Sequence, residues 1–191
     1  LDVIKFARER GILTAIVLIT NQEDTKTAVA ALKAGAVDYV VKQSDYLYRL
    51  PIVLQNARSQ TQIEKQKVAL RESENRYRNI FENAAEGIFQ STADGKFLSV
   101  NPAMSIIYGY DSPEDMVNSV INIGGQIHIN AETQRRFIEE LVSKGSVVKF
   151  ESQNLRKDDS IIWTSTNARS VKNENGEILY FEGFLTDITE Q

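Results

Sequence analysis

The chain has 191 residues, enough for one large domain or two small ones. Hydrophobic residues make up 42% and charged residues 25%, an ordinary globular balance, and the absence of cysteine excludes disulfides, thiolate zinc sites and cysteine nucleophiles. The formal net charge of -4, with no Lys/Arg block, argues against a nucleic-acid partner, and no apolar run approaches the roughly 18 residues that span a bilayer. Leu1 opens an amphipathic, charged stretch rather than a secretion signal. Because Leu1 is not a methionine, the expected setting is a cytoplasmic fragment of a longer gene product.

Residues 1–50 form the first segment. Val3, Phe6 and Ala7 sit at helical spacing, and Gly11 is a stop. Thr14 to Thr20 is a continuous apolar run of the kind buried on both faces of a parallel sheet. Gln22 to Ala34 reads as an Ala-rich helix closed by Gly35, and Val37 to Val41 as a second buried strand. The order is a βαβ unit with an expected right-handed crossover.

Residues 51–76 read as a linker helix that continues to about Phe81. Pro51 suits its first turn. Ile63, Leu70 and Tyr77 recur every seven residues, with polar Gln66 and Ser73 between them on the seam. This is either a weak coiled coil, giving a homodimer through Ile63, Leu70 and Tyr77, or a solvated linker. Its alternating Lys, Arg and Glu residues suit a face laced with ion pairs.

Residues 77–191 read as an α+β domain. Gly87 to Ser91 and Lys96 to Val100 flank an Asp94-Gly95 hairpin turn. Asn101-Pro102 and Ser112-Pro113 each start a helix, the first residue capping and the proline taking the first turn. Ala131 to Ser143 is amphipathic, with Phe137, Leu141 and Val142 on its apolar side. Strands at Val147 to Leu155, Ile161 to Val171 and Ile178 to Asp187 complete a five-stranded antiparallel sheet with helices on one face.

Several motifs of this third segment resemble the PAS (sensory box) family. They are Tyr77-Arg-Asn-Ile-Phe-Glu-Asn-Ala-Ala-Glu-Gly-Ile-Phe, Asp94-Gly-Lys-Phe-Leu-Ser-Val-Asn-Pro-Ala, Tyr108-Gly-Tyr, Asp159-Ser-Ile-Ile-Trp163 and Phe184-Leu-Thr-Asp-Ile-Thr189. The resemblance implies a sensory domain that hands over to a signalling helix near Thr189. The output domain, such as a histidine kinase, a diguanylate cyclase or another PAS domain, would lie outside this chain. The first segment resembles the second half of a response-regulator receiver, through Leu32-Lys-Ala-Gly-Ala-Val-Asp-Tyr-Val-Val-Lys42. That resemblance implies that Thr20 and Lys42 would contact a phosphoryl group and Tyr39 would report it. Gln43 stands where the family usually has proline, and the phosphorylated Asp and acidic Mg²⁺ pair would lie on strands before Leu1. Two strands with two or three helices should leave apolar surface exposed, making the region unstable alone, partly disordered, or rescued by pairing with another copy.

The PAS resemblance also implies a pocket between sheet and helices. Candidate lining residues are Asn101, Met104, Ile107, Tyr108, Phe137, Leu141, Phe150, Trp163 and Phe184, with Asn101, Tyr108, Asn154 and Thr166 as polar groups that could orient a ligand. The same residues would also fill an ordinary ligand-free core. Asn101 doubles as a helix cap, and Trp163 as an anchor at a strand start. His128, the sole histidine, reads as a surface or capping residue and a poor match to a haem ligand. Flavin adduct chemistry needs the absent cysteine, which leaves non-covalent flavin open; the leading expectation is no cofactor. No phosphate loop, Ser/His/Asp set or paired carboxylates can be assembled, so a non-enzyme is expected. The leading function is a sensory and relay module of a bacterial-type two-component or cyclic-dinucleotide system. The alternatives are a ligand-free dimerisation scaffold and the regulatory fragment of a kinase or cyclase.

Overall fold

The structure is a computed structural model and describes residues 1–21 and 25–190. It divides into two compact units, Leu1–Arg76 and Tyr77–Gln191.

In the first unit, α1 (Asp2–Glu9), β1 (Val17–Thr20), α2 (Thr25–Lys33) and β2 (Asp38–Val41) form the expected βαβ order. The expected helix from Gln22 begins, within the described residues, at Thr25; residues 22–24 lie outside them. The two strands pair in parallel, with Val17 opposite Asp38 and Thr20 opposite Val41. A small core gathers Ile4, Ala31 and Ala36 with partly buried Ile16, Leu18 and Ala34. The helix face of α1 differs from expectation: Ile4 and Ala7 are buried, whereas Val3 and Phe6 are exposed. Neither strand is buried on both faces, since Ile19 and Tyr39 are exposed. Among the described residues each strand has one neighbour, so its other edge is unpaired. Arg8 ties the unit together through backbone carbonyls, donating to Gly35 (2.7 and 3.0 Å), Ile12 (2.9 Å) and Thr14 (3.1 Å).

The long helix α3 runs over Tyr46–Asn83, starting five residues before the expected boundary. Pro51 therefore lies inside the helix rather than in its first turn. It has no N–H for the carbonyl of Leu47, and its ring crowds that turn. Pro51→Ala should stabilise α3 by about 1–3 kcal/mol, read as helical circular dichroism retained to higher temperature. An unchanged or lower melting profile would contradict this.

The second unit contains β3 (Gly87–Ser91), β4 (Phe97–Val100), α4 (Pro102–Tyr108), α5 (Pro113–Ser119), α6 (Ile123–Gln126), α7 (Ala131–Lys144), β5 (Ser146–Leu155), β6 (Ile161–Lys172) and β7 (Ile178–Asp187). The five strands form one antiparallel sheet in the order β4-β3-β7-β6-β5. Helix α4 packs on β3, α5 on β4, and α7 on β5 and β6. Local chemistry sets the helix starts. Asn101, Ser112 and Asn130 each accept a hydrogen bond from the backbone N–H three residues on, and prolines follow the first two. Gly95 supplies the left-handed turn residue between β3 and β4 at φ 86°. The short α6 was not anticipated, because Gly124 and Gly125 disfavour a helix. It forms with Asn122 as its cap and with the Gln134 side chain over Gly124; a Cβ there would lie 1.8 Å from Gln134 Oε1.

The core lies between the inner sheet face and the helices. Its fully buried members include Met104, Tyr108, Met116, Leu141, Ile162 and Phe181. Strand β6 turns Ile162, Thr164, Thr166 and Ala168 inward. In β5 the register shifts between Val147 and Phe150, where Lys149 adopts φ 51° and donates its N–H to Asn167 Oδ1 at 3.0 Å. This bulge moves the inward face from Val147 onto Phe150, Ser152 and Asn154.

Candidate functional site

Between the sheet and helices α4, α6 and α7 lies a cavity of about 50 Å³. Of the residues expected to line a pocket, the structure places Met104, Tyr108, Phe137 and Phe150 on its wall, together with Asn154 and Thr166. Others stand elsewhere. Ile107 is partly buried at the edge of the core, and Leu141 is fully buried but off the wall. Trp163 and Phe184 are 44% and 42% exposed on the outer sheet face. Period-two alternation is the reason: Ile162, Thr164 and Leu185 take the inward positions beside them.

Asn101 is fully buried and acts as a structural clamp rather than a wall residue. Its Oδ1 accepts from Met104 N (3.0 Å) and Ile88 N (2.8 Å). Its Nδ2 donates to Phe81 O (3.1 Å) and Glu86 O (3.0 Å). One side chain thereby fixes the end of α3, the start of β3 and the start of α4, and Met104 carries that frame to the cavity.

The polar side of the cavity is organised by Asn154. Its Nδ2 donates to Tyr108 Oη and to Thr164 Oγ1, each at 2.8 Å, and its Oδ1 accepts from Ser152 Oγ at 3.4 Å. Burial pushes the Tyr108 hydroxyl far above the usual phenol range, so it stays protonated. His128 also lines the cavity, held by a backbone bridge to Asn154 and by Leu155 N donating to Ile127 O at 2.8 Å. It is half-buried rather than a surface residue, because this bridge closes the loop onto β5. Its Nδ1 is buried without a hydrogen-bond partner. Burial holds the imidazole below its ordinary pKa, partly opposed by Asn154.

A lowered histidine pKa means that the unfolded chain binds the extra proton first. The stability is present in full above about pH 6.5 and falls as pH drops through and below that value. The lowered carboxyls of Asp115 and Asp187 act separately, with losses only below about pH 4. Urea unfolding at pH 7 and pH 5 should therefore show a loss that is reduced in His128→Gln. An equal loss in both proteins would contradict the assignment.

At the end of β7, the Asp187 carboxylate accepts from Arg156 Nη2 (2.9 Å) and from Thr189 N (2.9 Å) and its hydroxyl. Thr189 Oγ1 accepts from Trp163 N at 3.0 Å, and Ile188 N donates to Trp163 O at 2.9 Å. The residues after the strand are thus pinned to β6 beside Thr164. These contacts were not anticipated; the Asp187-Ile188-Thr189 motif carried the only hint.

In the first unit, Thr20 and Lys42 stand together where β1 and β2 end, with Lys42 N donating to Thr20 O at 2.8 Å. Tyr39 is exposed on β2. Ile63 and Leu70 in the first unit, and Tyr77 in the second, are all exposed.

The cavity falls far short of the several hundred Å³ that ligands of haem or flavin size require, so neither group fits this wall. Among the described residues no cluster of His, Asp or Glu could hold a metal ion. Among the described residues, no helix is long and apolar enough to cross a membrane.

Comparison with known proteins agrees with this architecture. The PAS domain of a protein from Colwellia psychrerythraea superposes with a TM-score of 0.53 at 22% identity, covering 61% of this chain and 98% of that one. The PAS domain of an HTR-like protein from Haloarcula marismortui gives 0.49 at 25% identity, covering 65% and 99%. A domain of a sensory box sensor histidine kinase/response regulator from Geobacter sulfurreducens gives 0.48 at 22% identity, covering 62% and 96%. A search of curated proteins found no match. The family model for the PAS domain matches residues 85–190, more than half of the sequence, and the chain belongs to the PAS domain family.

Proposed function

We propose that this chain is the sensory and relay part of a signalling protein: occupancy of the cavity in the second unit is read by the sheet and passed through α3 and the Asp187–Thr189 end to an output domain. PAS domains are sensory modules of signalling proteins and are generally not catalytic themselves. The observation that carries the reading is a cavity walled by Met104 and Asn154, each linked to a chain exit through a short run of hydrogen-bonded residues. Met104 N is bound to Asn101, which holds Phe81 at the end of α3. Asn154 is bound to Thr164, the neighbour of Trp163, which holds Thr189. A ligand that favours one arrangement of this wall biases both exits by its differential affinity.

A receiver-like role for the first unit is the upstream part of this proposal. Thr20, Tyr39 and Lys42 would be its switch residues, and pairing through Ile63, Leu70 and Tyr77 would make the protein a cytoplasmic homodimer. A parent kinase or diguanylate cyclase would supply the output.

One observation favours the ligand-free scaffold as a second reading. The cavity is small, whereas the outer sheet face exposes Val148, Ile161, Trp163 and Phe184. Such a patch suits a protein partner. A thermal-shift screen with small metabolites separates the two. Sensing predicts that at least one compound raises the melting temperature by about 4 °C or more at saturation. No shift with any compound, together with a dimer lost on Phe184→Glu, would favour the scaffold.

A further inference from the structure

The wall of the cavity restricts what it can hold. Taking the cavity as the ligand site, as proposed above, we infer that its ligand is a small uncharged molecule bearing a hydroxyl-like group that pairs with His128 Nδ1. Three observations lead there.

The first is charge. The side chains around the cavity include Phe89, Phe97, Met104, Phe137 and Phe150 with neutral polar groups, and none is Asp, Glu, Lys or Arg. An ion placed there would lose its hydration with no opposite charge to replace it. The second is size. A water-sized centre occupies about 10–15 Å³, so the volume of about 50 Å³ takes about four heavy atoms.

The third is polarity. Both Nδ2 hydrogens of Asn154 are taken by Tyr108 and Thr164, and its Oδ1 accepts from Ser152. His128 Nδ1 is left buried with nothing to bond. A neutral imidazole presents one donor and one acceptor nitrogen, and the tautomer decides which role falls to Nδ1. A hydroxyl both donates and accepts, so it satisfies Nδ1 in either tautomer; an ether, a methyl or a carboxylate does not. The hydroxyl of Thr166 and the amide of Gln134 also line the cavity, and among the described residues neither side chain makes a hydrogen bond. They offer a second contact at the far end of such a molecule.

The chain carries one histidine, so its imidazole nitrogens give a single reporter in long-range ¹H–¹⁵N spectra. Propan-2-ol and acetate match in heavy-atom count and differ in charge, which makes them the probes. Titration of the full chain with propan-2-ol should move the His128 Nδ1 resonance saturably, while acetate at the same concentration leaves it in place. Backbone amide shifts should show His128→Phe weakening propan-2-ol binding about five-fold, the worth of one hydrogen bond, with His128→Gln recovering part of it. Acetate binding as well as propan-2-ol, or an unchanged affinity in His128→Phe, would overturn the ligand class. So would water as the sole partner of Nδ1 at every probe concentration. The thermal-shift screen keeps the two readings apart. A hit there with a charged or larger compound would sink the ligand class and leave sensing intact. Silence in both experiments would sink sensing too.

Discussion

Replacing Asn101 with alanine should destabilise the second unit by about 3–5 kcal/mol, the largest effect expected of any single polar substitution here. The side chain is fully buried and satisfies two N–H donors and two carbonyls on three elements. Loss of a helix cap alone costs about 1 kcal/mol. The remainder comes from Ile88 N, Phe81 O and Glu86 O, which lose a partner in a place water reaches poorly. Asn101→Asp keeps the acceptor and loses the donor, so it should fall between wild type and alanine at neutral pH. Urea unfolding of the chain measures both. A loss near 1 kcal/mol in Asn101→Ala would reduce the residue to a simple cap.

Asn154→Leu should cost about 2–4 kcal/mol, and part of that should return in the double variant Asn154→Leu/Tyr108→Phe. The single change takes a partner from the Tyr108, Thr164 and Ser152 hydroxyls in the core, each bonded to Asn154 in the native protein. Removing the Tyr108 hydroxyl as well leaves an apolar pair of similar shape, which is far less costly than one orphaned partner. Additive losses in the double variant would show that the two side chains act independently.

The sequence was informative wherever structure is set by neighbours in the chain. The caps at Asn101 and Ser112 and the Asp94-Gly95 turn placed β3, β4 and the starts of α4 and α5 to within a residue or two. The facing of side chains was harder. Strand β6 opens Ile161-Ile162-Trp163, where three apolar residues in a row hide the alternation, and its inward face then carries Thr164 and Thr166. Hydrophobicity alone therefore misplaces Trp163, and the same one-residue parity misplaces Phe184. In β5 a bulge at Lys149 resets the parity between Val147 and Phe150, and no glycine marks it. Ser152 and Asn154 do follow Phe150 at period two, which is the one sequence signal for the polar wall. His128 carried no local signal, because its place depends on a bridge to Asn154, distant in sequence. Pro51 misled for the opposite reason: its helix-starting preference was overridden by Tyr46 to Leu50, which already form a turn.

Hydrogen–deuterium exchange of a variant with a partly filled cavity tests the relay most directly. Thr166→Ile replaces a hydroxyl on the cavity wall with an ethyl group that takes up part of the space an occupant would use. The account predicts altered protection at both exits, residues 79–83 at the end of α3 and 187–189 after β7, in a protein that remains folded. Protection that changes only around the cavity, with both exits unmoved, would contradict a relay and leave a domain that holds its shape whatever the cavity contains.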